Sequence, residues 1–193
     1  DAIFTNMLWD IKDFTVPEEA VHLQDLTYLP YVERLSITNQ TLDTVDFLIP
    51  LSNLKDLNLT GCRFASKDLE IIACMPNLVR LTIADCGLST LAGLENAQNL
   101  TYLDMSNNTV RNLEPLSTLA NLQTLKMGHN ALTNLNAIST LTGLTELDVS
   151  FNTLTTLAPI SGCWSMNSLL ANNNQINTLE GIDRLSELRI LNL

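Results

Sequence analysis

Two histidines and four cysteines are the residues of this chain best suited to proton transfer, nucleophilic attack or soft-metal binding. Their spacing supports none of these chemistries. His22 and His129 lie about a hundred residues apart, and neither belongs to an H-E-x-x-H pair or adjoins a matched acid–base partner. Cys62, Cys74, Cys86 and Cys163 contain no C-x-x-C, the spacing that a zinc site or a thioredoxin-like redox centre requires. There is no glycine-rich phosphate loop and no nucleophile elbow. The residues therefore predict a chain that is not an enzyme, binds no metal and needs no cofactor. Four N-x-S/T triplets begin at Asn39, Asn58, Asn99 and Asn107, and in a chain this rich in Asn and Thr they follow from composition.

The overall balance narrows the remaining classes. Of 193 residues, 46% are hydrophobic and 21 acids face 10 bases, for a formal charge of −11. Such a chain can bury a core, so it is not disordered. Its charge argues against binding nucleic-acid phosphates or an acidic lipid surface. The apolar residues are scattered leucines and isoleucines, so no membrane-inserting segment is expected.

What positions the side chains is a repeat. The pattern L-x-x-L-x-L-x-x-N-x-L starts at Val32, Leu54, Leu78, Leu100, Leu122, Leu144, Met166 and Leu188, at steps of 22 residues with a single step of 24. This gives seven full units and the start of an eighth. The x-L-x-L-x core of each unit alternates with period two, which marks a short strand with one buried face. One unit cannot bury its leucines alone, so neighbouring units must stack into a parallel sheet, a solenoid of α/β class. The ninth position reads Gln40, Cys62, Cys86, Asn108, Asn130, Asn152 and Asn174, a column placed to hydrogen-bond the turns after the strands. Cys62 and Cys86 share this column in consecutive units, within range of pairing, although buried free thiols are the expected state. Apolar residues on the return segments recur at spacings of three, which predicts a thin convex side of 3₁₀ or irregular turns, with Pro115 and Pro159 at one common offset. The longer second unit differs. Leu69, Ile72 and Ala73 predict a true helix over about 67–74, with Ser66 able to cap it.

The ends depart from the repeat. Residues 1–31 are expected to form an N-terminal helical cap and half-repeat before the array at 32–193. Ile3, Phe4, Met7, Leu8 and Ile11 form a helical stripe, and Thr15 to Glu18 has the T-x-x-E form of a capping box for a second short helix. The chain stops at Leu193, inside a strand motif, and continuation of the natural protein beyond it is expected, because an uncovered apolar end invites aggregation.

The run from Asn121 to Leu132 and the segment Leu113-Glu114-Pro115-Leu116-Ser117-Thr118-Leu119 resemble the 22-residue leucine-rich repeats of bacterial internalins, and the likeness extends over residues 32–193. That resemblance implies a right-handed superhelix, a horseshoe or curved rod with a concave parallel sheet and a short helical cap. It also implies export to the cell surface or cell wall, and binding of host or other extracellular partners by the concave face. Cys62 and Cys86 depart from it, standing where the family carries Asn. The same repeat class also serves in intracellular scaffolds such as regulators of cytosolic phosphatases, which is the alternative reading. The recognition part of a larger enzyme remains a third.

Function can reside only where the repeat leaves side chains free. Register places Tyr102, Asp104, Lys126, His129, Glu146, Asp148, Phe151 and Leu170 outward near the middle of the array, an apolar and aromatic group with a charged rim. These residues are the candidate partner-binding patch. The expected partner is a protein or peptide, with a surface polymer as the next choice, and a monomer is the favoured state.

Overall fold

A computed structural model describes residues 8–20 and 22–193. Its nine strands form one open parallel sheet in sequence order: β1 (Asp13–Thr15), β2 (Arg34–Ser36), β3 (Asp56–Asn58), β4 (Arg80–Thr82), β5 (Tyr102–Asp104), β6 (Thr124–Lys126), β7 (Glu146–Asp148), β8 (Ser168–Leu170) and β9 (Ile190–Asn192). The register follows the repeat: Leu35, Leu57, Leu81, Leu103, Leu125, Leu147, Leu169 and Leu191 stand opposite one another from β2 to β9. Eight strand steps at about 4.8 Å give a concave surface about 38 Å long.

Each strand is short because only its fourth and sixth positions point inward. From Leu57 to Leu147 those leucines are 0–1% exposed, and a single apolar cluster runs from Val16 to Leu185. The chain returns along the convex side through 3₁₀ turns such as Asp46–Leu48, Glu114–Leu116 and Ala158–Ile160, which tuck Leu48, Leu116 and Ile160 under the sheet. Pro115 and Pro159 lie within these turns, where the missing N–H leaves no helical bond unmade.

The second unit uses its extra two residues for a 3₁₀ turn at Ser66–Asp68 running into helix α1 (Leu69–Ala73), which buries Leu69, Ile72 and Ala73. The helix is thus shorter than the 67–74 expected. Ser66 does not cap it; no side-chain hydrogen bond closes either N-terminus.

The N-terminal segment differs more. Ile3, Phe4 and Met7 of the expected first helix lie outside the described residues. The second helix does not form: Thr15 ends β1, residues 18 and 19 make a turn, and the helical geometry falls later, in the 3₁₀ segment Leu23–Tyr28. The Thr15 capping box loses because Asp13, Phe14 and Thr15 pair with Arg34, Leu35 and Ser36, and Val16 N–H donates to the Ser36 carbonyl at 2.8 Å. The cap therefore begins the sheet.

The ninth column supplies the cross-unit bonds. Asn108, Asn130, Asn152 and Asn174 each donate from Nδ2 to the sixth-position carbonyl of the unit before, Ile83, Met105, Met127 and Val149, at 2.9–3.1 Å. Each also accepts from a turn N–H of that earlier unit, those of Leu88, Val110, Leu132 and Leu154, at 2.9–3.0 Å. The cysteines keep the donor half of this pattern. Cys62 Sγ donates to Ile37 O at 3.3 Å and Cys86 Sγ to Leu59 O at 3.1 Å, the same carbonyl column. A thiol is a poor acceptor, and around Cys62 the turn backbones pair directly instead: Leu42 N–H bonds Arg63 O, and Arg63 N–H bonds Gln40 O.

A second carboxamide column holds the convex side. Asn53, Asn77, Asn99 and Asn121, each just before a repeat start, donate to the carbonyls of Pro30, Ser52, Pro76 and Gln98 at 2.8–2.9 Å.

All four cysteines are free, and Cys62, Cys86 and Cys163 are buried while Cys74 is exposed. Burial pushes the Cys86 thiol up to about 12 and the Cys163 thiol up to about 11. Their neutral form is thus favoured by folding from the ordinary value of 9.0 upward: the contribution is complete below pH 9.0 and is lost as pH rises toward 12. A thiol-reactive disulfide reagent at pH 8 should titrate Cys74 alone until denaturant is added; immediate reaction of more than one thiol contradicts this burial. Asn130→Ala should cost about 1 to 3 kcal/mol in a urea melt, because it leaves Val110 N–H and the Met105 carbonyl without that partner; an unchanged midpoint would show that the column carries no weight.

Candidate functional site on the concave face

The concave side chains come from the third and fifth positions of each strand and from the turn just after it. Strand pairing sets the third-position row Arg34, Asp56, Arg80, Tyr102, Thr124, Glu146 and Ser168 side by side, and the fifth-position row Ser36, Asn58, Thr82, Asp104, Lys126, Asp148 and Leu170. At this spacing, about 4.8 Å, adjacent side chains in a row touch.

Along the first strands, charge meets opposite charge. Arg34 bridges Asp13, Lys55 and Lys12 both reach Glu33, Arg80 Nε lies 3.3 Å from Asp56 Oδ2, and Arg63 lies 3.7 Å from Asp85. The Lys55 ammonium, bonded to Glu33 at 2.7 Å, holds that carboxyl below the ordinary value. These pairs are exposed and each is worth little alone, but together they leave the early concave face internally matched.

Beyond β4 the pattern changes. The Arg80 guanidinium sits 3.8 Å from the centroid of the Tyr102 ring, and Lys126 Nζ lies 5.5 Å from the same ring, so the ring has a cation on both sides. Tyr102 is half-buried. Asp104 and Asp148 flank Lys126 in register, yet among the described residues none of Asp104, Glu146 and Asp148 forms an ion pair. Asp104 Oδ1 accepts from Ser106 N–H at 3.0 Å, and Asp148 Oδ1 from Ser150 N–H and Oγ at 2.9 and 2.6 Å, which aims both carboxylates toward the turn. Leu170 stands half-buried beside Asp148.

The turn after each strand holds a further column. Asn39, Gly61, Asp85, Asn107, His129, Phe151 and Asn173 all have positive φ, from 53° to 73°. Left-handed backbone here aims each N–H at the next unit; His129 N–H reaches Ser150 O and Phe151 N–H reaches Asn172 O, both at 2.9 Å. Asn, Asp and Gly tolerate that conformation, and histidine is also enriched there, whereas a bulky aromatic such as phenylalanine rarely occupies it. Phe151 does so while 44% exposed, and its ring stacks on His129 with centroids 4.0 Å apart and planes 12° from parallel. That backbone is costly for phenylalanine wherever it occurs.

The structure thus divides the eight expected patch residues into two centres. Tyr102, Asp104 and Lys126 gather with Arg80 on the sheet, His129 and Phe151 stack at the strand ends, and Glu146 and Asp148 lie on β7 with Leu170 one strand beyond on β8. Arg80 was visible in its row but its role was not, because contact with Tyr102 depends on a rotamer. The left-handed column was legible in outline, since it reads Asn, Gly, Asp and Asn before the two rings interrupt it. No group of His, Cys, Asp and Glu that could hold a metal occurs among the described residues, and no helix there is long and apolar enough to cross a membrane.

A family model for leucine-rich repeats matches residues 98–140 and 120–162. No curated protein matches the chain by sequence. Among solved structures, internalin C2 of Listeria monocytogenes superposes with a TM-score of 0.84 over 95% of this chain and 81% of its own, at 23% identity. The chain has the leucine-rich repeat fold, built like that of internalins. A leucine-rich repeat protein of Leptospira interrogans aligns over all of it with a TM-score of 0.81 and 20% identity, and the chain spans 57% of that protein's length. The functional domain of InlJ from Listeria monocytogenes, which includes a cysteine ladder, matches at 0.70 and 22% identity, over 85% of this chain and 35% of its own.

If strain at Phe151 is as described, Phe151→Asn in this leucine-rich repeat should leave the thermal midpoint equal or higher. Relief of about 1 to 2 kcal/mol of left-handed backbone energy meets the loss of a ring stack worth about 0.5 to 1.5 kcal/mol. A fall of many degrees in a calorimetric scan would make the ring a stability device instead.

Proposed function

We propose that the chain is a non-enzymatic protein-recognition module, exported and displayed at a bacterial cell surface, that binds an extracellular protein or peptide through its concave face. Leucine-rich repeats use their extended concave surfaces for binding proteins. The observation that carries the site is the His129–Phe151 stack, which is exposed and held in a backbone conformation costly for Phe. Tyr102 and Phe151 are the anchors, and Asp104, Lys126, His129, Glu146, Asp148 and Leu170 form the surround. Large, rigid aromatic groups contribute binding energy at low entropic cost, and charged neighbours set orientation. Export and surface display rest on the likeness to internalins, and a surface polymer is the other class of ligand that the face could take.

The test is a panel of extracellular ectodomains and cell-wall polymers screened by surface plasmon resonance, followed by the double variant Tyr102→Ala, Phe151→Ala with an unchanged circular dichroism spectrum. Loss of both anchors should weaken the bound partner by at least about thirtyfold, the scale of one hot spot of 2 kcal/mol. Unchanged affinity would remove the patch from the site, and a cytosolic location on fractionating the native cells would remove export.

A further inference from the structure

On the convex side two columns of side chains bond back onto carbonyls of the preceding unit, and both stop in the same place. The carboxamides of Asn53, Asn77, Asn99 and Asn121 reach the carbonyls of Pro30, Ser52, Pro76 and Gln98. The next rungs of that column are Gly143 and Ser165. In the second column Thr118 Oγ1 donates to Glu95 O at 3.1 Å and Thr140 Oγ1 to Ser117 O at 3.0 Å, and the next rung is Gly162. The carbonyls of Ala120, Ser139 and Thr142, all on exposed residues, consequently accept no hydrogen bond from the described residues. A Cβ on Gly143 would lie 3.5 Å from Ala120 O, and one on Gly162 would lie 3.8 Å from Ser139 O, so the two glycines leave these acceptors uncovered.

Trp164 stands beside this gap. Its column reads Pro30, Ser52, Pro76, Gln98, Ala120, Thr142 and Trp164, which makes it the one aromatic at that station. Its side chain follows Thr142 by a single rung and Gly162 by two residues. The residue is 64% exposed, and the indole pairs with no other ring among the described residues. Charge is missing as well. From Pro115 to Leu179 the only Asp, Glu, Lys or Arg residues are Lys126, Glu146 and Asp148, all on the concave strands β6 and β7. In a chain of 21 acids and 10 bases, the return side of these units presents an indole, hydroxyls and bare carbonyls.

We infer that this convex strip is a second binding site, whose ligand is an uncharged glycan: a sugar ring lays its C–H face on the Trp164 indole while its hydroxyls donate to the carbonyls of Thr142, Ala120 and Ser139. The site is separate from the concave face and does not depend on what binds there. A sugar matches both halves of the strip, because its polarised C–H bonds suit the electron-rich face of an indole and its hydroxyls are donors for groups that can only accept. An acidic polymer would bring its anions to a strip with no cation, on a chain of net charge −11. A basic peptide would find no carboxylate there.

The experiment titrates the full ¹⁵N-labelled chain with cellotriose, maltotriose, mannotriose, chitotriose and the acidic trigalacturonate, following backbone amides and the Trp164 indole N–H. At least one neutral trisaccharide should shift that indole and the amides of residues 140–143 and 162–165, and trigalacturonate should bind more weakly than it. Trp164→Ala should weaken the sugar by at least about tenfold. Gly143→Asn installs the carboxamide of the four earlier rungs at a position without positive φ, where the added Cβ makes only ordinary contacts. It should keep the thermal midpoint and weaken the sugar about fivefold, by covering one acceptor. The inference is overturned if no neutral trisaccharide moves these resonances, if trigalacturonate binds as well as the best of them, or if affinity survives either substitution. A change in the sedimentation of the ligand-free chain on Trp164→Ala would also overturn it, since the indole would then cover a second copy of the chain.

Discussion

From Ile37 to Val149 the sixth-position carbonyl of each unit takes a donor from the ninth position of the unit that follows, and the rest of the array depends on that bond. A strand of three residues and a 3₁₀ turn cannot stand alone, since each unit exposes half of its leucines until a neighbour covers them. Hydrophobic burial drives the stacking but does not fix its pitch. The ninth side chain does. Because Asn108, Asn130, Asn152 and Asn174 each hold both a carbonyl and a turn N–H of the unit before, the turns align to within a hydrogen bond, and the strand register follows from them. Where Cys62 and Cys86 substitute, the donor survives, and around Cys62 backbone-to-backbone pairing takes over the acceptor's task.

The same alignment creates the left-handed column. To donate its N–H across to the next unit, the residue before each ladder position turns to positive φ, and so six of seven successive units, all but that of Gly61, present a side chain at the lip of the sheet. Six of these stations suit residues known to tolerate that backbone. Phe151 does not, and it stacks with His129 in solvent. Position and cost together separate this pair from exposed aromatics such as Trp164, whose 64% exposure is accompanied by no backbone strain and no ring partner.

Most of the array was legible in the amino-acid sequence, because periodicity reports stacking directly: the leucine columns, the ladder, the thin convex side and the helix of the second unit all follow from spacing. What was missed had competing signals. Ile11, Phe14 and Val16 carry the L-x-x-L-x-L spacing of a repeat, one step before Val32, Leu35 and Ile37, but Ile11 also completes a helical stripe and Thr15 opens a capping box. Pairing with β2 decided the contest. The convex carboxamides at Asn53, Asn77, Asn99 and Asn121 were obscured because Asn99 also begins a glycosylation triplet and the column breaks off at Gly143. Of the candidate site, outward direction was readable from register alone, whereas the Arg80–Tyr102 contact and the His129–Phe151 stack depend on rotamers and on the backbone of a turn.

The ion pairs described among residues 12–85 have a consequence for orientation. A sheet that satisfies its own charges at one end and leaves carboxylates unanswered toward the other is polar along its length, like a ruler graduated on one half only. The sheet is therefore directional in charge, although its backbone repeats almost without change from one strand to the next.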